Sequence, residues 1–162
     1  AQSQVVRTMA DHFESAAAAA VIAFEEVPRE EVVHYGIARP AGEVNEVFDL
    51  EDLVEKPEVE DAPSNLAVAA RYVFSPAIFD YLRKTEPGKG GEIQLTDAIR
   101  ALIRDGGRVM GVRLPAGQPR FDIGNFESYF QAFVEFALAD PGHGRQIREF
   151  AKTLLAKYAE AR

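Results

Sequence analysis

Two short segments of the sequence place charged side chains where ligands often bind. In the first, Glu55, Lys56 and Pro57 follow an apolar stretch that is typical of a strand. Ligands of open α/β sheets bind near strand ends, where a lysine can neutralise a phosphate and a glutamate can accept hydrogen bonds from hydroxyl groups. Taken alone, the segment favours the plainer interpretation, a solvated charge pair at the end of a strand.

The second segment, Phe121-Asp122-Ile123-Gly124-Asn125, embeds a carboxylate in a turn that precedes a predicted helix. A carboxylate there can hold a hard divalent cation through oxygen. It can equally cap the helix that follows. From this segment alone, the capping role of Asp122 is the favoured interpretation.

Other reactive motifs have little support. The chain has no cysteine, and its three histidines, His12, His34 and His143, do not lie at metal-ligand spacing, which argues against zinc. The sequence has no Gly-x-Ser-x-Gly elbow for a nucleophilic serine. The glycines from Gly88 to Gly91 do not follow the phosphate-loop pattern, and we interpret them as a flexible loop.

Length, composition and charge narrow the class of protein. The 162 residues are 47% apolar, which suits one folded domain with a real core. A formal net charge of −8 repels phosphate backbones and anionic lipids, so we expect no nucleic-acid or membrane partner. We see no membrane-spanning run and no signal peptide, and the composition permits a cytoplasmic location.

Strands alternate with helices along the chain, which indicates α/β layering. We predict strands at 19–27, 35–40, 50–56, 66–74 and 108–114. We predict helices at 3–15, 76–84, 97–104 and 126–139, and a last helix that ends near Ala159. We expect Ser75 and Thr96 to cap the second and third helices, and Gly106-Gly107 to end the third. The alanine- and valine-rich strand at 66–74 is expected to be buried.

Several segments resemble one family when they are taken in order. They are Tyr35-Gly36-Ile37, Val54-Glu55-Lys56-Pro57, Pro63-Ser64-Asn65-Leu66-Ala67-Val68, Arg71-Tyr72-Val73-Phe74, Gly91-Glu92-Ile93-Gln94-Leu95-Thr96-Asp97-Ala98-Ile99 and Phe121-Asp122-Ile123-Gly124-Asn125, followed by Tyr129, Ala132 and Phe133. From about Ala17 to Ala139 the chain resembles the sugar-1-phosphate nucleotidyltransferases, and closely the bacterial UTP–glucose-1-phosphate uridylyltransferases. The resemblance implies part of a Rossmann-like nucleotidyltransferase fold, with a mixed sheet flanked by helices.

The resemblance also implies a role for each matching residue in binding glucose 1-phosphate. Glu55 would accept hydrogen bonds from the glucose hydroxyls, and Lys56 would pair with the phosphate on C1. The backbone of Gly36 would face a sugar hydroxyl, where a Cβ would crowd the ligand. Val68 would contact the sugar through its backbone, and Tyr72 would line the same pocket.

The implied reaction is attack of glucose 1-phosphate on the α-phosphorus of UTP, giving UDP-glucose and pyrophosphate. Its nucleophile is already anionic near neutral pH, because the second pKa of a phosphomonoester is roughly 6, so no general base is needed. Catalysis then rests on positioning and charge neutralisation, which the resemblance assigns to Lys56 and to Mg²⁺ held by Asp122 and a second carboxylate.

Parts of the family pattern do not match this sequence. The glycine-rich nucleotide loop, the second metal-binding aspartate and the uracil-reading region are not found. We therefore expect the chain to bind UTP and turn over only with a further amino-terminal portion. Residues 1–140 would form the sugar-phosphate-binding portion, and residues 141–162 a carboxy-terminal helix suited to subunit contacts. An incomplete sheet would expose an edge, so we expect a homo-oligomer.

Two alternatives to uridylyl transfer stay open. The Glu92–Ile99 and Phe121–Asn125 segments favour the uridylyl branch, whereas thymidylyl relatives usually carry an Asp-Thr-Gly segment. Thymidylyl or guanylyl transfer to a sugar 1-phosphate nevertheless remains possible from these motifs. The other alternative is a non-catalytic module for sugar-phosphate binding or oligomerisation.

Overall fold

The computed structural model describes residues 4–88, 91–115, 121 and 123–159. The chain divides into two compact units, Ala1–Gln118 and Pro119–Arg162. Within the described residues, the first unit holds all five strands, three α-helices and a 3-10 helix (Arg29–His34), and the second holds two α-helices. The predicted α/β class is thus confirmed, but the predicted alternation is not, because the first four strands follow one another without an α-helix between them.

The five strands form one mixed sheet. They are β1 (Ala20–Glu26), β2 (Gly36–Pro40), β3 (Val47–Glu55), β4 (Leu66–Phe74) and β5 (Val109–Arg113). Their order is β1-β4-β2-β3-β5, and β5 also pairs with β1, so that the sheet closes on itself. The β1–β5 pairing is parallel and the others are antiparallel.

The closed sheet contradicts the expectation of an exposed sheet edge. Each of the five described strands has a hydrogen-bonded neighbour on both sides. The strand with a single neighbour that we expected from an incomplete sheet is therefore not found among them. The pairing of β2 with β4 is short, since it joins only Ile37 to Ala67 in register.

Helices cover both faces of β1, because alternate residues of a strand point to opposite sides. Ile22 and Phe24 belong to a buried cluster with Ile99 of helix α3 (Leu95–Arg104), against which helix α2 (Ile78–Lys84) also packs. Val21 belongs to a second cluster with Met9 of helix α1 (Val5–Ser15). These two apolar layers hold the sheet between helices, as the resemblance implies.

Two of the predicted helix caps are wrong. Helix α2 begins at Ile78 rather than at Pro76, because Ser75 and Pro76 form a turn in which their carbonyls accept from the N–H groups of Ile78 and Phe79. Thr96 lies inside α3, whose N-cap is Gln94. The predicted end of α3 is confirmed, since Gly106 adopts a φ of +86° there.

The largest differences from the predicted strands are the start of β3 and the burial of β4. Strand β3 begins at Val47, not at Leu50, since Val47, Phe48 and Asp49 pair with β5. It ends at Glu55, which leaves Lys56 just beyond the strand. Strand β4 has the predicted bounds, but burial is concentrated in its first half and Tyr72 is 36% exposed.

The second unit contains helices α4 (Phe126–Ala139) and α5 (Gly144–Ala159). Helix α4 has the predicted bounds, and the side chain of Asn125 caps it by accepting from the N–H of Ser128 at 2.9 Å. The capping role weighed for Asp122 thus belongs to Asn125. None of the described helices is both long and apolar enough to cross a lipid bilayer.

Candidate functional site

The centre of the candidate site is the carboxylate of Glu55, at the end of β3. Gly36 is its partner across the β2–β3 pairing. Thr96 donates a hydrogen bond from Oγ1 to Glu55 Oε2 at 2.6 Å. The Glu55 side chain is 19% exposed, so it is shielded but open to a ligand on one side. Strands β2 and β3 and helix α3 together hold this carboxylate.

Lys56 follows the strand and places an ammonium group beside the carboxylate. Its Nζ lies 3.9 Å from Glu55 Oε1, and the side chain is 47% exposed. The backbone of Lys56 has a φ of +43°, in the left-handed region that residues with a Cβ adopt rarely, and its N–H donates to the carbonyl of Tyr35 at 2.9 Å. Conformations of this kind often occur at functional sites.

Gly36 forms the floor of the site because it has no side chain. A Cβ at Gly36 would lie 3.2 Å from Glu55 Oε2, 3.3 Å from Thr96 Oγ1 and 3.3 Å from Val68 Cγ2. These distances are shorter than ordinary van der Waals contacts, so a side chain would push against all three residues. They also show that Val68 of β4 lies at the same place as Glu55 and Thr96.

Tyr72 borders the same region from further along β4. Burial raises the pKa of Tyr72, and the negative charge of Glu55 raises it further. Its ring stacks on Phe74, with centroids 5.3 Å apart and planes 15° from parallel. Tyr72 is therefore close enough to sense the charge of Glu55, while its own ring is held by a neighbour.

A bulge in β4 separates Val68 from Tyr72. Phe24 pairs with Val68 and Ile22 with Tyr72, so the residues 69–71 lie opposite Ala23 alone. Within the bulge Ala70 has a φ of +52°. Bulges bend a strand and change the direction of its side chains, and they are frequent next to binding sites.

An ion pair fixes helix α3 on β3 one turn beyond Thr96. Arg100 donates from Nε and Nη2 to the two carboxylate oxygens of Asp52, at 2.9 and 3.1 Å. Burial alone would raise the pKa of Asp52, but the hydrogen bonds from Arg100 and the N–H of Leu53 and the charge of Arg100 outweigh it, so the pKa is lowered. This two-point contact sets the distance between α3 and the end of β3.

The structure thus brings together five of the six residues that the sequence singled out, namely Gly36, Glu55, Lys56, Val68 and Tyr72. The sixth, Asp122, lies outside the described residues. In the described part of the chain, no three His, Cys, Asp or Glu side chains are grouped so that they could hold a metal ion. Thr96 joins the five, although its sequence position predicts a helix cap.

The chemistry of this arrangement favours a ligand with hydroxyl groups and one negative charge. A half-shielded carboxylate accepts hydrogen bonds, and the ammonium group of Lys56 attracts an anion. The missing side chain at Gly36 lets Glu55 and Thr96 approach its backbone closely. None of these groups is a nucleophile set beside a base, so the geometry favours binding and charge neutralisation over covalent catalysis.

Comparison with known proteins identifies relatives over most of the chain. The family described as "Nucleotidyl transferase" matches residues 2–138. The chain is 41% identical over 134 residues to UTP–glucose-1-phosphate uridylyltransferase 1 of Staphylococcus saprophyticus, covering 83% of this chain and 46% of that protein. It is 46% identical over 131 residues to the UTP–glucose-1-phosphate uridylyltransferase of Haemophilus influenzae, covering 79% of this chain and 43% of that protein.

A solved structure shows the same similarity in three dimensions. The UDP-glucose pyrophosphorylase of Acinetobacter baumannii superposes with a TM-score of 0.75 at 34% identity, covering 92% of this chain and 50% of that one. The chain therefore spans about half the length of the relatives that it matches.

Proposed function

Because this chain belongs to the nucleotidyl transferase family, we propose that it forms the glucose 1-phosphate-binding part of a UTP–glucose-1-phosphate uridylyltransferase. One observation carries the proposal: the Glu55–Lys56 pair stands at the end of β3, with its carboxylate only 19% exposed and its ammonium group 47% exposed. The names of the relatives at 41% and 46% identity support the uridylyl branch over the thymidylyl and guanylyl ones.

The proposed pose follows from the two charges of the site. The C1 phosphate pairs with the ammonium group of Lys56, which offers a local cation on a chain with a net charge of −8. The sugar hydroxyls donate to Glu55, whose Oε1 lies 3.9 Å from Lys56 Nζ. Gly36 and Val68 present their backbones to the ring, and Tyr72 closes one side.

In the proposed reaction, a phosphate oxygen of glucose 1-phosphate forms a bond to the α-phosphorus of UTP, and the bond from that phosphorus to pyrophosphate breaks. Two anions must approach each other, which Lys56 assists by lowering the negative charge on the nucleophile's side. The phosphate needs no deprotonation by a base near neutral pH, so the carboxylate of Glu55 is required only to accept hydrogen bonds from the sugar.

The family generally uses a divalent metal ion. We propose that the ion is Mg²⁺ and that Asp122 is one of its ligands, on the resemblance of the Phe121–Asn125 segment. A bound Mg²⁺ would supply charge neutralisation on the phosphates. The described residues offer no metal cluster that could replace Asp122 in this role.

Calorimetric titration of this polypeptide with glucose 1-phosphate, with and without Mg²⁺, tests the proposal. We expect saturable 1:1 binding, with glucose 6-phosphate binding more weakly because its phosphate is displaced from Lys56. In an Asp122→Asn variant, Mg²⁺ should no longer increase the affinity for glucose 1-phosphate. The affinity measured without Mg²⁺ should stay unchanged. A well-folded chain that binds neither sugar phosphate would contradict the assignment of the sugar-phosphate site to these residues.

We further propose that the chain forms a homo-oligomer in the cytoplasm. Self-association is supported by the apolar surface of the second unit, where Phe126 is 82% exposed, Phe133 63% and Leu155 71%. Large exposed apolar side chains in such number mark contact surfaces. Sedimentation velocity at micromolar concentration should show a species of at least twice the chain's mass, and a monomer would argue against self-association. Cell fractionation checks the location.

A further inference from the structure

Thr96 has an unusual position for a threonine inside a helix. It lies in the first turn of α3 and is only 9% exposed. Threonine hydroxyls further along a helix commonly bond to a carbonyl of the preceding turn, but no turn of α3 precedes Thr96. Here Oγ1 instead donates to Glu55 Oε2, a residue 41 positions away on β3.

This hydrogen bond restricts the carboxylate of Glu55. A bond of 2.6 Å from a hydroxyl to a carboxylate is short and charge-assisted. It engages Oε2 and leaves Oε1, on the side of Lys56, for other donors. Because threonine is branched at Cβ, its χ1 angle is stiff, so the donor itself has little freedom.

The surroundings of Thr96 hold the donor in place. Arg100, one turn further along α3, is bonded to Asp52 of β3 through both carboxylate oxygens. On the other side, Gly36 leaves the space that Oγ1 and Oε2 occupy, since a Cβ there would come within 3.3 Å of Oγ1. The helix, the ion pair and the glycine thus all act on one hydrogen bond.

From this geometry we propose that Thr96 is a positioning residue, which orients Glu55 for the hydroxyl groups of the sugar. The proposal rests on the proposed function, because Glu55 is there the group that accepts from glucose. Thr96 itself does not touch the sugar, and it acts by removing the rotational freedom that Glu55 would otherwise lose on binding.

A Thr96→Val variant tests this role with little change in shape. We expect its affinity for glucose 1-phosphate to fall about tenfold, as for the loss of one hydrogen bond to a charged group. Its affinity for inorganic phosphate, which needs Lys56 and no hydroxyl acceptor, should stay within about twofold of the unmodified chain. A general disturbance of the site would weaken both ligands together.

Thr96→Ser and Thr96→Ala provide a second comparison, in case valine impairs folding. Both lack the methyl group, and they differ from each other only in the hydroxyl. Serine should bind glucose 1-phosphate nearly as well as threonine, and alanine about tenfold more weakly. Equal binding by these two variants, or equal losses for both ligands, would overturn the proposal. If the unmodified chain bound phosphate but not glucose 1-phosphate, the proposed function would fail, and this inference with it.

Discussion

Replacing Lys56 with alanine is expected to weaken glucose 1-phosphate binding about 30-fold, or about 2 kcal/mol, as for the loss of a charge-assisted contact. The Nζ of Lys56 is the cation beside Glu55, and the sugar phosphate would bring a negative charge to the same place. Alanine keeps a Cβ at the φ of +43°, so the backbone preference at this position is nearly unchanged. The measurement is calorimetric titration of both proteins.

Lys84→Ala is the matched control for the lysine variant. Lys84 is exposed at the end of α2, and its removal changes the net charge by the same amount. Its variant should bind like the unmodified chain. Equal losses in the two variants would mean that the net charge, and not the place of Lys56, governs binding.

The largest expected loss of stability follows from Gly111→Ala. Gly111 of β5 pairs with Phe48 of β3, and a Cβ there would lie 2.3 Å from Phe48 Cζ and 2.6 Å from Cε2. The Phe48 ring is 5% exposed and packs on Phe24 with centroids 5.6 Å apart, so it has no free space to move into. We expect a loss of about 3 kcal/mol in the free energy of unfolding.

Thermal and urea unfolding measured by circular dichroism check this value. For a chain of this length, the melting temperature should fall by about 10 °C. Gly42→Ala is the control, since a Cβ at Gly42 would meet no atom within 4 Å. If both variants had the melting temperature of the unmodified chain, the contact between Gly111 and the Phe48 ring would not constrain the core as described.

Local patterns in the sequence predicted the elements well where one side of each is apolar. The bounds of β4 and α4 agree with the predictions, and β1 is shorter than predicted by one residue at each end. The errors arose where a polar residue can occur in more than one kind of local structure. Ser75 opens a turn rather than a helix, and Asp49 lies within a strand because it pairs with Met110 of a distant strand.

In the candidate site, too, local contacts could be predicted and contacts between distant segments could not. Glu55 and Lys56 are adjacent in sequence, so their pairing could be predicted directly. The bond from Thr96 to Glu55 could not, because it depends on how α3 is placed on β3, and a threonine near a helix start is usually a cap. The bulge around Ala70 had no signal either, because alanine seldom adopts a positive φ.

The closed sheet has a consequence for the order in which the chain folds. Strands β2 and β3 are neighbours in sequence and in space, whereas β1 needs β4 on one side and β5 on the other. Since β5 is the last of the described strands to leave the ribosome, β1 cannot gain its second partner until most of the first unit has been synthesised. Until then, β1 has one unpaired edge along its apolar residues Val21 to Phe24. An unpaired edge of this kind promotes aggregation or strand exchange between chains.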